Sequence, residues 1–393
     1  MPDLLPPLRL VGADVLTPEG FSQAPVDVVN GQFAPGARPL VVDLTGYWVL
    51  PGIIDLHGDG FERQLFPRPT APFPLREALA ATDREAAAHG VTTAYLAQSW
   101  SWEGGMRSPD QAEKVLQAVL DWREQALTNL RVQLRAETHL VAEVPRLIEA
   151  VARYRVDYVV FNDHIDEGLV MQRKNPDGFA HWARKAGLDP KTLSERIDAA
   201  WARTKEVPRA LLTMAEAFDR LGVTYGSHDD RDAETREIYR IIGARIAEFP
   251  TSRKAAAAAR AGGDAILMGA PNVVRGGSQA GNVAAIDLLR EGLCDGLVSD
   301  YHIPALAMAV WKLVEDRVLP LEQAWALVSS RPARVLGLAD RGEIAPGLRA
   351  DLVAVNQQSR AVEMTIAGGR LAHLSGQAAA RFCGTRDVRL AAE

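Results

Sequence analysis

The chain has almost no cysteine. Of its 393 residues only Cys294 and Cys383 carry a thiol, and they stand in unrelated contexts. Neither a disulfide framework nor a cysteine-ligated zinc is indicated, and a reducing cytoplasm is the expected location. Long apolar runs are missing too: none approaches the roughly 18–20 residues of a membrane span, so no membrane partner is expected. The start, Met1-Pro2-Asp3-Leu4-Leu5-Pro6-Pro7, has neither the basic residues nor the apolar stretch of a signal peptide. Positive charge is not in excess. A net charge of −6 argues against a nucleic-acid surface. It leaves room for a small anionic substrate, because a few local arginines and a metal outweigh the global field at one site.

What is present suits a soluble globular protein. Hydrophobic residues make up 47% and charged residues 24%, enough to bury a sizeable core. Residues 1–50 read as short β segments between turns, among them Leu8-Arg9-Leu10-Val11 and Leu40-Val41-Val42-Asp43. Residues 343–375 read the same way, and 376–393 read as a poorly specified tail. Two β-rich flanks suggest one small β-sandwich domain assembled from both chain ends. Between them, 51–342 alternates buried strands with amphipathic helices such as 75–88, 109–126 and 233–248. Repeated strand–helix units imply a parallel sheet covered by helices. Seven strands are plain and an eighth is not obvious. The fold class is therefore α/β, a (β/α)₈ TIM-like barrel with a small β domain.

The polar residues support a barrel over an open sheet. His57 and Asp59, Glu137, Asp163 and His164, His228 and Asp229, and Asp300 each fall at or just past the C-terminal end of a strand. In a closed parallel barrel those ends converge on one face, where active sites lie. In His57-Gly58-Asp59 an imidazole and a carboxylate two residues apart point the same way. That pair suits a divalent ion such as zinc, manganese or iron. Alone, such a triplet is common and reads more readily as turn residues capping a helix.

Its surroundings decide between the two. Pro51-Gly52-Ile53-Ile54-Asp55-Leu56-His57, Gly90-Val91-Thr92-Thr93 and the stretch from Gly342 to Leu352 resemble the amidohydrolase superfamily. A narrower set resembles its diphosphatases of phosphonate breakdown, which remove pyrophosphate from α-D-ribose 1-methylphosphonate 5-triphosphate. It comprises Phe66-Pro67-Arg68-Pro69, Ser227-His228-Asp229-Asp230, the run from Met268 to Ser278, Gly281-Asn282-Val283-Ala284-Ala285, and Ser299-Asp300-Tyr301. The resemblance implies one or two divalent ions per chain, with zinc first and manganese or iron as substitutes. It implies His57, Asp59, Glu137, His164, His228 and Asp300 as ligands, Glu137 binding or bridging. Asp300 would also take the proton from the attacking water. Asp163, Asp229 and Asp230 are candidates to orient the imidazoles, His139 ranks below Glu137, and His302, two residues after Asp300, is a candidate to reach the pocket.

For a phosphorylated substrate the candidates are Arg63, Arg68 and Arg275, whose forks fit phosphate oxygens bidentately. Gly276, Gly277 and Gly281 permit close backbone approach, and Asn282 follows them. The chain departs from the subfamily in three places. Gly58 and Gly60 stand where Thr and Asn are usual. His164-Ile165-Asp166-Glu167-Gly168 replaces His-Thr-Pro-Gly-Gln, and Ser278-Gln279-Ala280-Gly281-Asn282 replaces Ser-His-Ser-Gly-Asn. Asp166 and Glu167 would repel phosphates if they faced the pocket. The function expected is pyrophosphate release by metal-activated water. The alternatives are hydrolysis of a C–N bond by a deacetylase, deaminase or cyclic amidase, and a catalytically silent barrel subunit. A homo-oligomer stays open.

Overall fold

The computed structural model describes residues 3–36, 38–68, 71–278 and 280–390, with 385–390 described by backbone alone. Pro69 and Gln279 of the motifs above, and 391–393 of the expected tail, lie outside the described residues. The first fifty residues form β1 (Leu8–Val11), β2 (Asp14–Thr17), β3 (Gly20–Ser22), β4 (Val26–Val29), β5 (Gln32–Phe33), β6 (Leu40–Asp43) and β7 (Tyr47–Pro51). Their side chains alternate as half-buried strands require: Leu40 and Val42 are buried while Val41 and Asp43 are exposed.

The barrel strands follow: β8 (Ile53–Gly58), β9 (Val91–Trp100), β10 (Asn129–Glu137), β11 (Tyr158–Asn162), β12 (Thr224–His228), β13 (Ile246–Glu248), β14 (Ala265–Gly269) and β15 (Gly296–Val298). They pair in chain order, all parallel, as one eight-stranded sheet. A backbone bridge between Gly58 and Asp300 joins its two edges. Parallel strands covered on both faces are apolar almost throughout, and every residue of β8, β9 and β11 is buried. The polar Asp55 and His57 within such a strand therefore need partners. Asp55 accepts from the Ser299 backbone N–H (2.9 Å) and hydroxyl (2.6 Å) across the closing seam.

β13 is the eighth strand that the sequence hides. The helical pattern over 233–248 ends early: the helix is Ala233–Ile241. Gly243, at φ 99°, turns the chain where a Cβ would sit 2.3 Å from the Tyr225 hydroxyl. The last three residues of the expected helix then extend along β12, with His228 beside Glu248.

The chain closes with β16 (Leu352–Asn356), β17 (Val362–Ala367) and β18 (Arg370–Leu374). These join the N-terminal strands in a six-stranded sheet of order β18-β17-β16-β7-β2-β3, while β5-β4-β1-β6 form a second sheet. The two sheets share one core, with Leu8, Leu10, Val28 and Val42 meeting Val49, Leu352, Met364 and Ile366, each at most 1% exposed. Each such burial contributes about 1.5–3 kcal/mol. Within the segment read as a tail, Gly376–Leu390 is helical, and its Ala378 and Phe382 enter that core. Among the described residues no helix is long and apolar enough to cross a membrane.

Candidate metal and substrate site

A cavity of about 320 Å³ opens at the C-terminal end of the barrel strands. His57, Asp59, His164, His228 and Asp300 line it, with Arg275, Gly277 and Asn282 on one wall. His57 is fixed by β8, and Asp59 follows that strand. Asp59 N–H donates to the Asp300 carbonyl (2.8 Å) and Asp300 N–H to the His57 carbonyl (2.9 Å), so the seam of the barrel holds all three residues together. Ligand atoms of His57, Asp59 and Asp300 lie within 4.8 Å of one another. Burial, reinforced by the negative charge of Asp59, pushes the Asp300 carboxyl up to about 6. Asp229, Phe249 and Asp300 all have left-handed backbone, with φ of 60°, 52° and 54°. Such strain gathers at functional sites, held in place by the surrounding structure.

Behind the imidazoles stands Glu248. Its Oε2 lies 2.8 Å from His57 Nδ1 and 2.8 Å from His228 Nδ1. Its Oε1 accepts from Gln133 Nε2 (2.9 Å) and the Tyr158 hydroxyl (3.3 Å). Burial opposes ionisation here, yet the facing imidazoles of His57 and His228 and their hydrogen bonds hold the Glu248 carboxyl well below the ordinary range. The rings of His57 and His228 stack at 5.2 Å, and Phe249 meets each of them edge-on at 5.0 Å. The imidazoles are thus fixed by a shared carboxylate and a shared aromatic wedge. Of the expected orienting acids, Asp229 lies 3.5 Å from His228 Nε2. Asp163 contacts His139, and Asp230 contacts Ser227 and Arg236.

Glu137 and His164 pair at 2.5 Å through Oε1 and Nδ1. Although burial works against its charge, Glu137 pushes the His164 pKa up to about 9. Glu103 stands 3.9 Å from the same nitrogen, and it is clamped by Arg107 (3.1 Å to both oxygens) and Trp182 Nε1 (2.8 Å). Arg107 lines the cavity, as does Arg135. Sequence reasoning missed both arginines, and Glu103, Glu248 and Phe249 as well. A signal existed for one: Gln133, Arg135 and Glu137 alternate along β10, three polar residues on one side of a buried strand.

The other expected substrate residues lie elsewhere. Arg63 turns toward Glu85, 3.8 Å away, Arg68 is exposed beside its backbone bridge to Ala71, and Gly276 ends the helix Ala270–Arg275 at φ 77°. None of these lines the cavity, nor do His139 and His302. Asp166 is turned to Arg231 (2.8 Å), so it and the exposed Glu167 stay off the cavity wall. The two unexpected glycines have packing reasons. A Cβ at Gly58 would come within 2.8 Å of Ser299 Oγ and 2.9 Å of Asp55 Oδ2, and one at Gly60 within 3.0 Å of the Tyr301 carbonyl.

The donor set fits a divalent ion. One imidazole and two carboxylates converge, the nitrogen and oxygen mixture that zinc, manganese and iron accept. The imidazole is oriented from behind by a carboxylate, as metal-binding histidines are.

Comparison with known proteins agrees with this architecture. The amidohydrolase family model matches residues 312–373. The alpha-D-ribose 1-methylphosphonate 5-triphosphate diphosphatase of Escherichia coli (strain K12) is 32% identical over 357 residues, covering 86% of this chain and 92% of that protein. Among solved structures, the beta-aspartyl dipeptidase of Fervidobacterium islandicum AW-1 superposes with a TM-score of 0.63 at 17% identity, over 94% of this chain and 97% of its own. The N-acetylglucosamine-6-phosphate deacetylase of Pasteurella multocida gives 0.60 at 12% identity, over 93% and 99%.

Proposed function

Since the chain belongs to the amidohydrolase superfamily and is a hydrolase, we propose that it releases pyrophosphate from α-D-ribose 1-methylphosphonate 5-triphosphate. The observation that carries this reading is the meeting of His57, Asp59 and Asp300 beneath a cavity walled by Arg107, Arg135 and Arg275. A carboxylate-and-imidazole floor suits a divalent ion and arginine walls suit phosphate. The similarity to the E. coli diphosphatase selects this phosphate ester among others.

His57, Asp59 and Asp300 would hold the ion. When bound, a divalent ion supplies Lewis acidity, lowering the pKa of water toward about 7 and offsetting charge on phosphoryl oxygens. The protein's own groups do the rest. Asp300, beside His57 and Asp59, accepts the proton of the attacking water as general base. Arg275, Gly277 and Asn282 on one wall bind and align the triphosphate, so that pyrophosphate leaves in line with attack. Arg107, fixed by Glu103, presents a positive charge to the cavity. Glu248 and Phe249 keep His57 in place through the cycle.

The test is pyrophosphate release from this substrate, with ATP as control, by wild type and Asp300→Asn side by side. Release from the phosphonate, weak release from ATP, and a loss of about 10²–10⁴-fold in the variant are expected. Metal-bearing protein that releases no pyrophosphate but cleaves an amide would overturn the reading in favour of a C–N hydrolase.

A further inference from the structure

Arg135 is only 6% exposed, and it sits among the side chains that would otherwise be ligands. It precedes Glu137 by two residues on β10, so both project to the same side of the strand. Its Nη2 donates to His228 Nε2 at 3.0 Å, and its Nη1 lies 3.7 Å from Asp59 Oδ2. With the Asn162 amide turned to satisfy its partners, Asn162 Oδ1 accepts from Arg135 Nε (3.0 Å) and Nη2 (3.1 Å).

Guanidinium has donors and no acceptor, so His228 Nε2 must be the acceptor and Nδ1–H the donor to Glu248. The ring is thereby neutral. A neutral imidazole has one lone pair. Engaged by Arg135, that pair is not available to a cation. Arginine does not lose its proton in proteins, so a second dication beside it would meet a permanent positive charge.

We infer that Arg135 takes the place of a second cation, and that the centre holds one divalent ion, on His57, Asp59 and Asp300. Arg135 balances Asp59 and keeps His228 outside the coordination sphere; Glu103, Glu137 and His164, whose ligand atoms also lie within 4.8 Å of one another, are engaged instead by the Glu137–His164 bond and by Arg107 on Glu103. The inference rests on the metal reading above and goes beyond it by fixing the stoichiometry. It also makes His228 a positioning residue, held between Glu248 and Arg135, instead of a ligand.

The experiment counts metal. Full-length protein is purified without chelators, incubated with excess zinc, desalted and analysed for zinc per chain, with circular dichroism reporting the fold. Wild type is expected to hold one ion, Arg135→Ala two, and His228→Asn one. Two ions in the wild type, loss of the ion in His228→Asn, or a single ion in folded Arg135→Ala overturns the inference and leaves the metal reading standing. No ion in the wild type overturns both. Should Arg135→Ala not fold, the wild-type and His228→Asn counts decide alone.

Discussion

Glu248 Oε2 lies 2.8 Å from His57 Nδ1, in a contact where neither side chain exposes more than 1% of its surface. The same oxygen serves His228, so one carboxylate sets the orientation of two imidazoles drawn from different strands. Removing its charge while keeping its shape isolates that task. In Glu248→Gln, zinc affinity should fall about 10–100-fold, the usual effect of losing a partner that orients a metal-binding histidine. Competition with a chromophoric chelator measures it. Unchanged affinity would mean that His57 is held by packing against Phe249 alone.

Arg275 stands on the cavity wall, with its Nη1 3.5 Å from the Tyr301 hydroxyl. A charged hydrogen bond is worth about 1.5–3 kcal/mol, or roughly 10–100-fold. Arg275→Ala should therefore raise KM for the triphosphate by about that factor, with kcat changed much less. Steady-state kinetics separates the two, and a fall confined to kcat would place Arg275 at the reacting phosphorus instead.

Glu363 joins the C-terminal helix to the small domain, accepting from the Tyr47 hydroxyl (2.7 Å) and the Ala378 N–H (3.0 Å). Burial alone would raise its pKa, but the bonds from Tyr47 and Ala378 hold it below the ordinary range. A pKa depressed in the folded state adds stability above the unfolded value of about 4.3. That stability is lost as pH falls through the folded value. Glu363→Gln should cost about 1 kcal/mol at pH 7, and its deficit should shrink as the pH falls below 4. Urea denaturation at several pH values checks this, and a deficit independent of pH would assign the effect to shape.

The two thiols should behave differently. Cys294 is buried, and burial with the neighbouring Asp295 pushes its pKa up to about 12. Cys383 is exposed. A thiol reagent at pH 8 should modify one cysteine per native chain and two after denaturation, because only an accessible thiolate reacts. Rapid modification of both in the native protein would contradict the packing around Cys294.

Much of this was legible in the sequence for local reasons. Buried parallel strands announce themselves by unbroken apolar runs, and acids and histidines at their ends mark the working face of a barrel. His57, Asp59, Glu137, His164, His228 and Asp300 were read that way, and all but Glu137 line one cavity. β13 escaped because three residues, Ile246–Glu248, are too few for a pattern and follow a helix whose periodicity runs into them. Glu248 escaped with it, since its meaning lies in a contact 191 residues away. Arg107 and Arg135 were passed over for Arg63 and Arg68 because an arginine's reach is set by its ion partners. Glu85 draws Arg63 outward, while Glu103 holds Arg107 at the cavity.

β7 runs into β8 with only Gly52 between them, yet its neighbour on one side is β16. On the ribosome these partners are made far apart in time. The roughly three hundred residues from Pro51 to Leu352 take about 15–60 s at 5–20 residues per second. All eight barrel strands emerge in that interval, while one flank of β7 stays unpaired. A nascent chain halted there would present a finished barrel and an open apolar strand edge, a form suited to chaperone capture and to pairing with another chain. Release from that state comes only with β16.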